Sequence, residues 1–399
     1  MRICGIVSEY NPFHAGHAWH IAQARQRSGA DLIVCAMSGS FVQRGEPALF
    51  DKWTRAACAI RCGADAVAEL PLLSAIQSAE GFALGGVRQL HALGAEALSF
   101  GCETADIGAL TQAAKILSAE TEEFRRALRQ RLDEGDSYPA ARMKAALSGE
   151  FSGETLEILC SPNAILGVEY IKAMLQSGAE MTPCVVPRTG GAYHSADMAD
   201  TMPSATALRT AFRAGKAADA LSAMPEACRQ YVQVQVGAGL VPAYPEVFDT
   251  ALLLTLRRNG RDSLRCLPDI SEGLENRIFD AAQRCTTREE LIAAVKTKRY
   301  AYTRISRVML YALLDITREA VREHNRSPVS HVRLLAVKSP EVLSALSKTS
   351  RVPIVAGSAA NSPYPALDAA ATDVWALSQS ISPFRDGFRD FTQKLLINP

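Results

Sequence analysis

The sequence predicts an α/β protein, with a parallel sheet covered by helices on both faces over residues 1–215 and a mostly α-helical region over 216–399. Three observations carry this. Short continuous apolar runs alternate with helix-length segments through the first half, as strands buried on both faces require. Glycines (Gly29, Gly63, Gly94) close those helix-length segments, where a left-handed residue ends a helix. Beyond about residue 214, helical periodicity dominates and strand-like runs become rare.

In order, residues 3–7 read as a buried strand and 17–26 as a helix closed by Ser28-Gly29. Residues 32–37 form an uninterrupted apolar strand, and 52–62 a helix ended by Gly63. Residues 66–70 are a strand cut off by Pro71, 79–93 a helix ended by Gly94, and 97–100 a strand before Gly101. Two or three helices fill 107–148. Another opens at Ser161-Pro162-Asn163 and runs to 176, followed by a strand at 181–186 and a helix at 204–213. In the second region only 334–337 and 352–356 read as short strands. Right-handed crossovers place ligands beyond the carboxyl ends of the strands, so the loops that matter begin at Ser8, Ser38, Leu70 and Gly101.

The bulk properties narrow the function. With 48% apolar and 21% charged residues, the 399-residue chain can bury a large core. A formal net charge of +1 excludes a generally basic protein, so any nucleic-acid contact comes from a local patch. The ten cysteines include no Cys-x-x-Cys pair, and Cys58 and Cys62 lack a second pair to complete a zinc site. No protein-bound metal or organic cofactor is therefore expected, and the usage suits a reducing cytosol. The chain opens on a strand, and no apolar run approaches the ~20 residues that span a bilayer. The expectation is a cytoplasmic protein with no membrane partner.

Three stretches carry chemistry. The first is Gly5-Ile-Val-Ser-Glu-Tyr-Asn-Pro-Phe-His-Ala-Gly-His17, a strand, a turn and a His-x-Gly-His helix start. Free backbone N–H groups and the positive helix end suit phosphate there, and His14 and His17 can donate to its oxygens. Gly16 lets a ligand approach the backbone. The second is Ser204-Ala-Thr-Ala-Leu-Arg209, where Ser204, Thr206 and Arg209 can clamp β- and γ-phosphates. The third is Lys296-Thr-Lys-Arg-Tyr-Ala-Tyr-Thr-Arg-Ile-Ser-Arg307, cations interleaved with tyrosines, which suits an RNA backbone with stacking on exposed bases and reads equally as a solvated helix face. Lys52 and Arg55 extend this expected cationic track. A Gly-rich loop at 38–46 can line a reaction cavity, with Gln43 and Arg44 as its candidate substrate contacts.

His-x-Gly-His after a first strand, with Ser-x-Thr-x-x-Arg late in the same region, resembles the nucleotidyltransferase superfamily, whose fold is a Rossmann-like parallel sheet. Longer matches refine this: Gly39-Ser-Phe-Val-Gln-Arg-Gly-Glu-Pro-Ala48, Glu69-Leu-Pro71, Gln77-Ser-Ala-Glu80, Ser99-Phe-Gly101, Ser161-Pro-Asn-Ala-Ile-Leu-Gly-Val-Glu169 and Lys296-Thr-Lys-Arg-Tyr300. With these, the chain resembles the bacterial tRNA(Met) cytidine acetate ligase family. The resemblance implies that ATP and acetate form acetyl-adenylate. N4 of the wobble cytidine of elongator tRNA(Met) then takes the acetyl group. It implies an ATP site at Val7, Ser8, Glu9, Tyr10, Asn11, Pro12, Phe13, His14, Gly16, His17 and His20, with Gly101, Asn163, Arg188, Ser204, Thr206 and Arg209. It also implies tRNA contacts at Lys296, Lys298, Arg299, Tyr300, Arg304 and Arg307, with Mg²⁺ accompanying the ATP. Ala164 stands where the family has a second asparagine, and Pro203 where it has isoleucine. A small-molecule adenylyltransferase and a non-catalytic RNA-binding module on the same fold remain the alternatives.

Overall fold

The computed structural model describes residues 1–119, 122–136, 141, 144–145, 158, 162–187, 203–271, 273–356 and 366–399. The strands in chain order are β1 (Ile3–Ser8), β2 (Leu32–Ser38), β3 (Phe41–Val42), β4 (Glu46–Pro47), β5 (Ala66–Leu70), β6 (Ala97–Cys102), β7 (Thr182–Pro187), β8 (Val332–Val337), β9 (Ile354–Ala356) and β10 (Leu396–Ile397). The main sheet runs β10-β8-β5-β2-β1-β6-β7, with β9 also paired to β8. Its centre is parallel: β2 and β6 flank β1, β5 follows β2, and β7 follows β6. All seven residues of β2 are buried, because helices cover both faces.

The strand order reverses at β1, whose neighbours β2 and β6 lead away in opposite directions. A crevice opens at such a point, beyond the carboxyl ends Ser8 and Cys102. The crossover helices follow their end signals. Helix α1 (Ala15–Ser28) ends at Gly29 with φ 61°. In α2 (Lys52–Arg61), Asp51 accepts from the Thr54 amide at 2.7 Å and caps the first turn. The short α3 (Leu72–Ala75) and α4 (Ala79–Ala92) follow β5. Helices Ile107–Ala119, Glu122–Asp133 and Pro162–Ser177 precede β7, and Ala205–Arg213 follows it.

Two expectations change. The sheet does not stop at residue 215: β8 joins β5 antiparallel, and β9 and β10 lie parallel along β8, so this edge is mixed. Lys52 and Arg55 are not a surface track, being buried at 0% and 1% exposure. The Lys52 ammonium lies 2.6 Å from Glu69 Oε1, 2.6 Å from Asp390 Oδ1 and 3.0 Å from Thr372 Oγ1. Arg333, inside β8, reaches Glu69 at 3.1 Å and also pairs with Asp390. Either cation left alone in the core would be prohibitively costly, so this cluster ties the C-terminal segments to the sheet.

Candidate active site

The site grows from the turn after β1. Tyr10 adopts φ 48°, a left-handed conformation that a non-glycine residue holds only when its surroundings fix it. Its buried ring packs edge-on against both Phe13 and His17, with centroids 4.9 Å away in each case, and its hydroxyl lies 3.2 Å from Cys35 Sγ. Burial raises the Tyr10 phenol well above its usual range.

The two imidazoles cap α1 reciprocally. His14 Nδ1 accepts from the Gly16 amide at 3.0 Å, and His17 Nδ1 accepts from the His14 amide at 3.2 Å. A backbone N–H only donates, so both Nδ1 atoms are acceptors. In the neutral rings the proton therefore sits on Nε2, which makes both Nε2 atoms donors. The rings pack with centroids 3.7 Å apart. Gly16 has a local reason beyond ligand approach: a Cβ there would stand 2.8 Å from His14 Cε1, pushing the ring off its cap.

The second motif arrives from the helix Ala205–Arg213. Ser204 caps it by accepting from the Ala207 amide at 3.2 Å. Arg209 donates to the Asn11 carbonyl at 2.6 Å and to Thr206 Oγ1 at 3.1 Å. The hydroxyl-arginine cluster is thus fastened directly to the loop that carries the imidazoles, although 198 residues separate Arg209 from Asn11.

Arg55 builds the floor, donating to the carbonyls of Phe50 at 3.0 Å, Glu9 at 2.7 Å and Ser38 at 2.9 Å, and to that of Gly39. This binds the ends of β1 and β2 together. The Gly-rich loop turns through the β3–β4 ribbon and is anchored at the turn by two adjacent residues. Glu9 Oε1 accepts from the Gln43 amide at 2.7 Å. Ser306 Oγ donates to the Arg44 carbonyl at 2.5 Å. Gly45 adopts φ 76°, and a Cβ there would lie 2.5 Å from the Arg307 amide nitrogen, so only glycine seats the loop on the helix Tyr302–Leu313. Burial pushes the Glu9 carboxyl up, while the Gln43 amide and the guanidinium groups of Arg44, Arg209 and Arg55 pull it back.

These elements enclose a cavity of about 310 Å³. Val7, Ser8, Glu9, Tyr10, Asn11, His14, Gly16, His17, His20, Gln43, Arg44, Gly101, Ser204, Thr206 and Arg209 all line it. Ser8 Oγ is buried against it with no hydrogen-bond partner among the described residues. His20 Nε2 lies 3.0 Å from Ser99 Oγ in β6. Pro12 and Phe13 do not line the cavity; Phe13 is in the core, where its ring backs Tyr10 and His17. The loop after Leu70 contributes nothing to the lining, since it leads into α3 instead. Arg188 lies outside the described residues. Asn163 sits in the first turn of the helix Pro162–Ser177, its side chain outside the description.

One wall was missed: Trp19, Phe82, Phe100, Leu166, Tyr170 and Val186 form an apolar face suited to a planar base. In sequence each is a large apolar residue in a helix or strand, which core packing explains equally well.

The cationic run separates into two groups. Lys296 and Lys298 are exposed, and Arg299 is half-buried. Arg304 donates to the Asp269 carbonyl at 3.0 and 2.7 Å and to Ser271 Oγ at 2.8 Å, and Arg307 reaches Asp269 Oδ2 at 3.1 Å. Tyr300 is 6% exposed with the Arg304 guanidinium 5.2 Å above its ring, so that ring is packed into the fold and is not a surface platform.

A family model described as HIGH Nucleotidyl Transferase matches residues 1–387. The tRNA(Met) cytidine acetate ligase of Acetivibrio thermocellus is 35% identical over 417 residues, covering 100% of both chains. That of Syntrophomonas wolfei is 36% identical over 98% of each. The crystal structure of apo Thermotoga maritima TmcAL superimposes with a TM-score of 0.93 at 32% identity, and the form bound with alpha-thio ATP with 0.90, each covering 100% of both chains. The chain therefore belongs to the HIGH nucleotidyl transferases and, among them, to the tRNA(Met) cytidine acetate ligase family.

Proposed function

We propose that this protein is the ATP-dependent ligase that acetylates the wobble cytidine of elongator tRNA(Met). Acetate attacks the α-phosphate of ATP, giving acetyl-adenylate and pyrophosphate. N4 of the cytidine then attacks the acetyl carbonyl, and AMP leaves. The observation that carries the reading is the convergence of His14, His17, Ser204, Thr206 and Arg209 on one cavity.

Each group has a physical role. The Nε2–H donors of His14 and His17 stabilise charge developing on the departing pyrophosphate. Arg209 and the hydroxyls of Ser204 and Thr206 hold the β- and γ-phosphates. The apolar wall takes the adenine, with Gly101, Asn163 and Arg188 completing the nucleotide site. Mg²⁺ arrives with the ATP substrate and screens its phosphates. Gln43 and Arg44 face acetate or the incoming cytidine. Residues 216–399 form the tRNA-binding part. Lys296, Lys298 and Arg299 meet the RNA backbone, and Tyr300, Arg304 and Arg307 shape the surface that presents them. Such a reaction belongs in the cytoplasm, and the nine described cysteines are free thiols. No helix among the described residues is long and apolar enough to cross a membrane.

The test is incubation with ATP, labelled acetate and an elongator tRNA(Met) transcript. Label on the anticodon cytidine is expected. ATP–pyrophosphate exchange without RNA labelling would support a small-molecule adenylyltransferase instead, and neither signal would support a binding module.

A further inference from the structure

We propose that Glu9 is the general base that accepts the proton from the attacking cytidine amine, an assignment that rests on the ligase reading above. In that step the N4 lone pair forms the C–N bond to the acetyl carbon. The C–O bond to the adenylate phosphate breaks, and AMP leaves with the electron pair. The surplus proton on N4 passes to Glu9 Oε2 and then to solvent.

Elimination begins with the imidazoles. His14 and His17 spend Nδ1 on backbone amides and present Nε2–H, so as neutral rings they donate and have no nitrogen left to take a proton. His20 Nε2 is engaged with Ser99 Oγ. The Tyr10 phenol is buried against Cys35. Among the described residues, two carboxylates remain in the lining, Glu9 and Glu46.

Position favours Glu9. It directly follows the β1 end, and its Oε1 is fixed by the Gln43 amide at 2.7 Å, which holds the carboxylate in one orientation. Its Oε2 has no hydrogen-bond partner among the described residues and is not sealed in the core. Glu46 has no such anchor through its carboxylate among the described residues. Burial raises the Glu9 carboxyl, and the guanidinium groups of Arg44, Arg209 and Arg55 oppose that rise by favouring the ionised form.

Direction of approach is a second, independent argument. The Glu9 end of the cavity is bordered by the Gln43–Gly45 loop, whose far side docks on Ser306. Ser306 lies in the helix that follows the exposed Lys296 and Lys298. An RNA held there delivers its base past the Gln43–Gly45 loop that Glu9 anchors.

Glu9→Gln tests the assignment, because the amide oxygen still accepts from the Gln43 amide but takes no proton. Two readouts are compared with wild type: acetate-dependent ATP–pyrophosphate exchange, and single-turnover transfer of labelled acetyl to an elongator tRNA(Met) transcript. The expected result is a fall in the ratio of transfer to exchange by about 10²–10⁴-fold. An unchanged ratio would overturn the assignment, whether both rates persist or both fall together. A ratio that falls for Glu46→Gln and not for Glu9→Gln would also overturn it. Wild-type protein that exchanges pyrophosphate but never labels RNA would remove the ligase reading, and the assignment with it.

Discussion

The β1–α1 junction and the 296–307 run both enter the sequence as short polar motifs, yet the fold treats them differently. At the junction, the polar atoms satisfy one another within a few residues: His14 accepts from the Gly16 amide and His17 from the His14 amide, closing one helix turn. Both imidazoles also line the cavity. In the cationic run, Arg304 and Arg307 find their partners at Asp269 and Ser271, over thirty residues away. Those charges hold the fold, whereas Lys296 and Lys298 are exposed. A motif whose geometry is closed by its own backbone can be read in one dimension. A run of charges cannot, because its partners are chosen by tertiary contacts.

The comparison can be broken most severely at the junction. His17→Ala removes an Nε2–H donor and half of the reciprocal cap. Acetate-dependent ATP–pyrophosphate exchange should fall by about 10²–10³-fold, with tRNA binding in a filter assay nearly unchanged. Arg209→Lys keeps the charge but cannot span Asn11 and Thr206 together. Its exchange should drop by roughly 10²-fold, chiefly through weaker ATP binding. Equal loss of RNA binding in either variant would erase the distinction between the regions.

The cationic run gives a smaller, sharper effect. Lys298→Ala with Arg299→Ala should reduce tRNA affinity and flatten the slope of log affinity against log salt by about 1–2. Asp269→Ala should leave that slope alone and lower stability by about 1 kcal/mol, since the Asp269 carboxylate is itself only partly shielded from water. A change in salt slope for Asp269→Ala would put Arg307 on the RNA.

The buried cluster offers the smallest test. Burial, with Glu69 nearby, raises the Asp368 carboxyl to about 7. The folded protein then binds a proton that the unfolded chain releases, so stability falls as pH rises from the usual carboxylate range through 7. Asp368→Asn preserves an acceptor for the Leu72 amide and removes that dependence. Its Tm should exceed the wild-type value by more at pH 8 than at pH 5, by differential scanning fluorimetry.

The α/β half was legible because its strands are buried on both faces and read as unbroken apolar runs, with β2 the clearest. The mixed edge was less so. Strand β8 was expected only from Leu334, since Arg333 reads as a surface residue until Glu69 and Asp390 are seen around it. The two-residue strands β3 and β4 left no periodic signal at all. Within the site, the imidazole pair, the hydroxyl-arginine cluster and the Gly-rich loop were readable from residue type and spacing. The apolar wall was not, because Phe100 and Tyr170 have the same chemistry as the core beside them.

The central claim is that the imidazole pair and Arg209 act on one triphosphate. It is measured most directly by a double-mutant cycle on acetate-dependent ATP–pyrophosphate exchange, using His17→Ala, Arg209→Ala and the combined variant. Groups acting together give a combined loss well short of the product of the two single losses. A combined loss equal to that product would show that the two groups work independently.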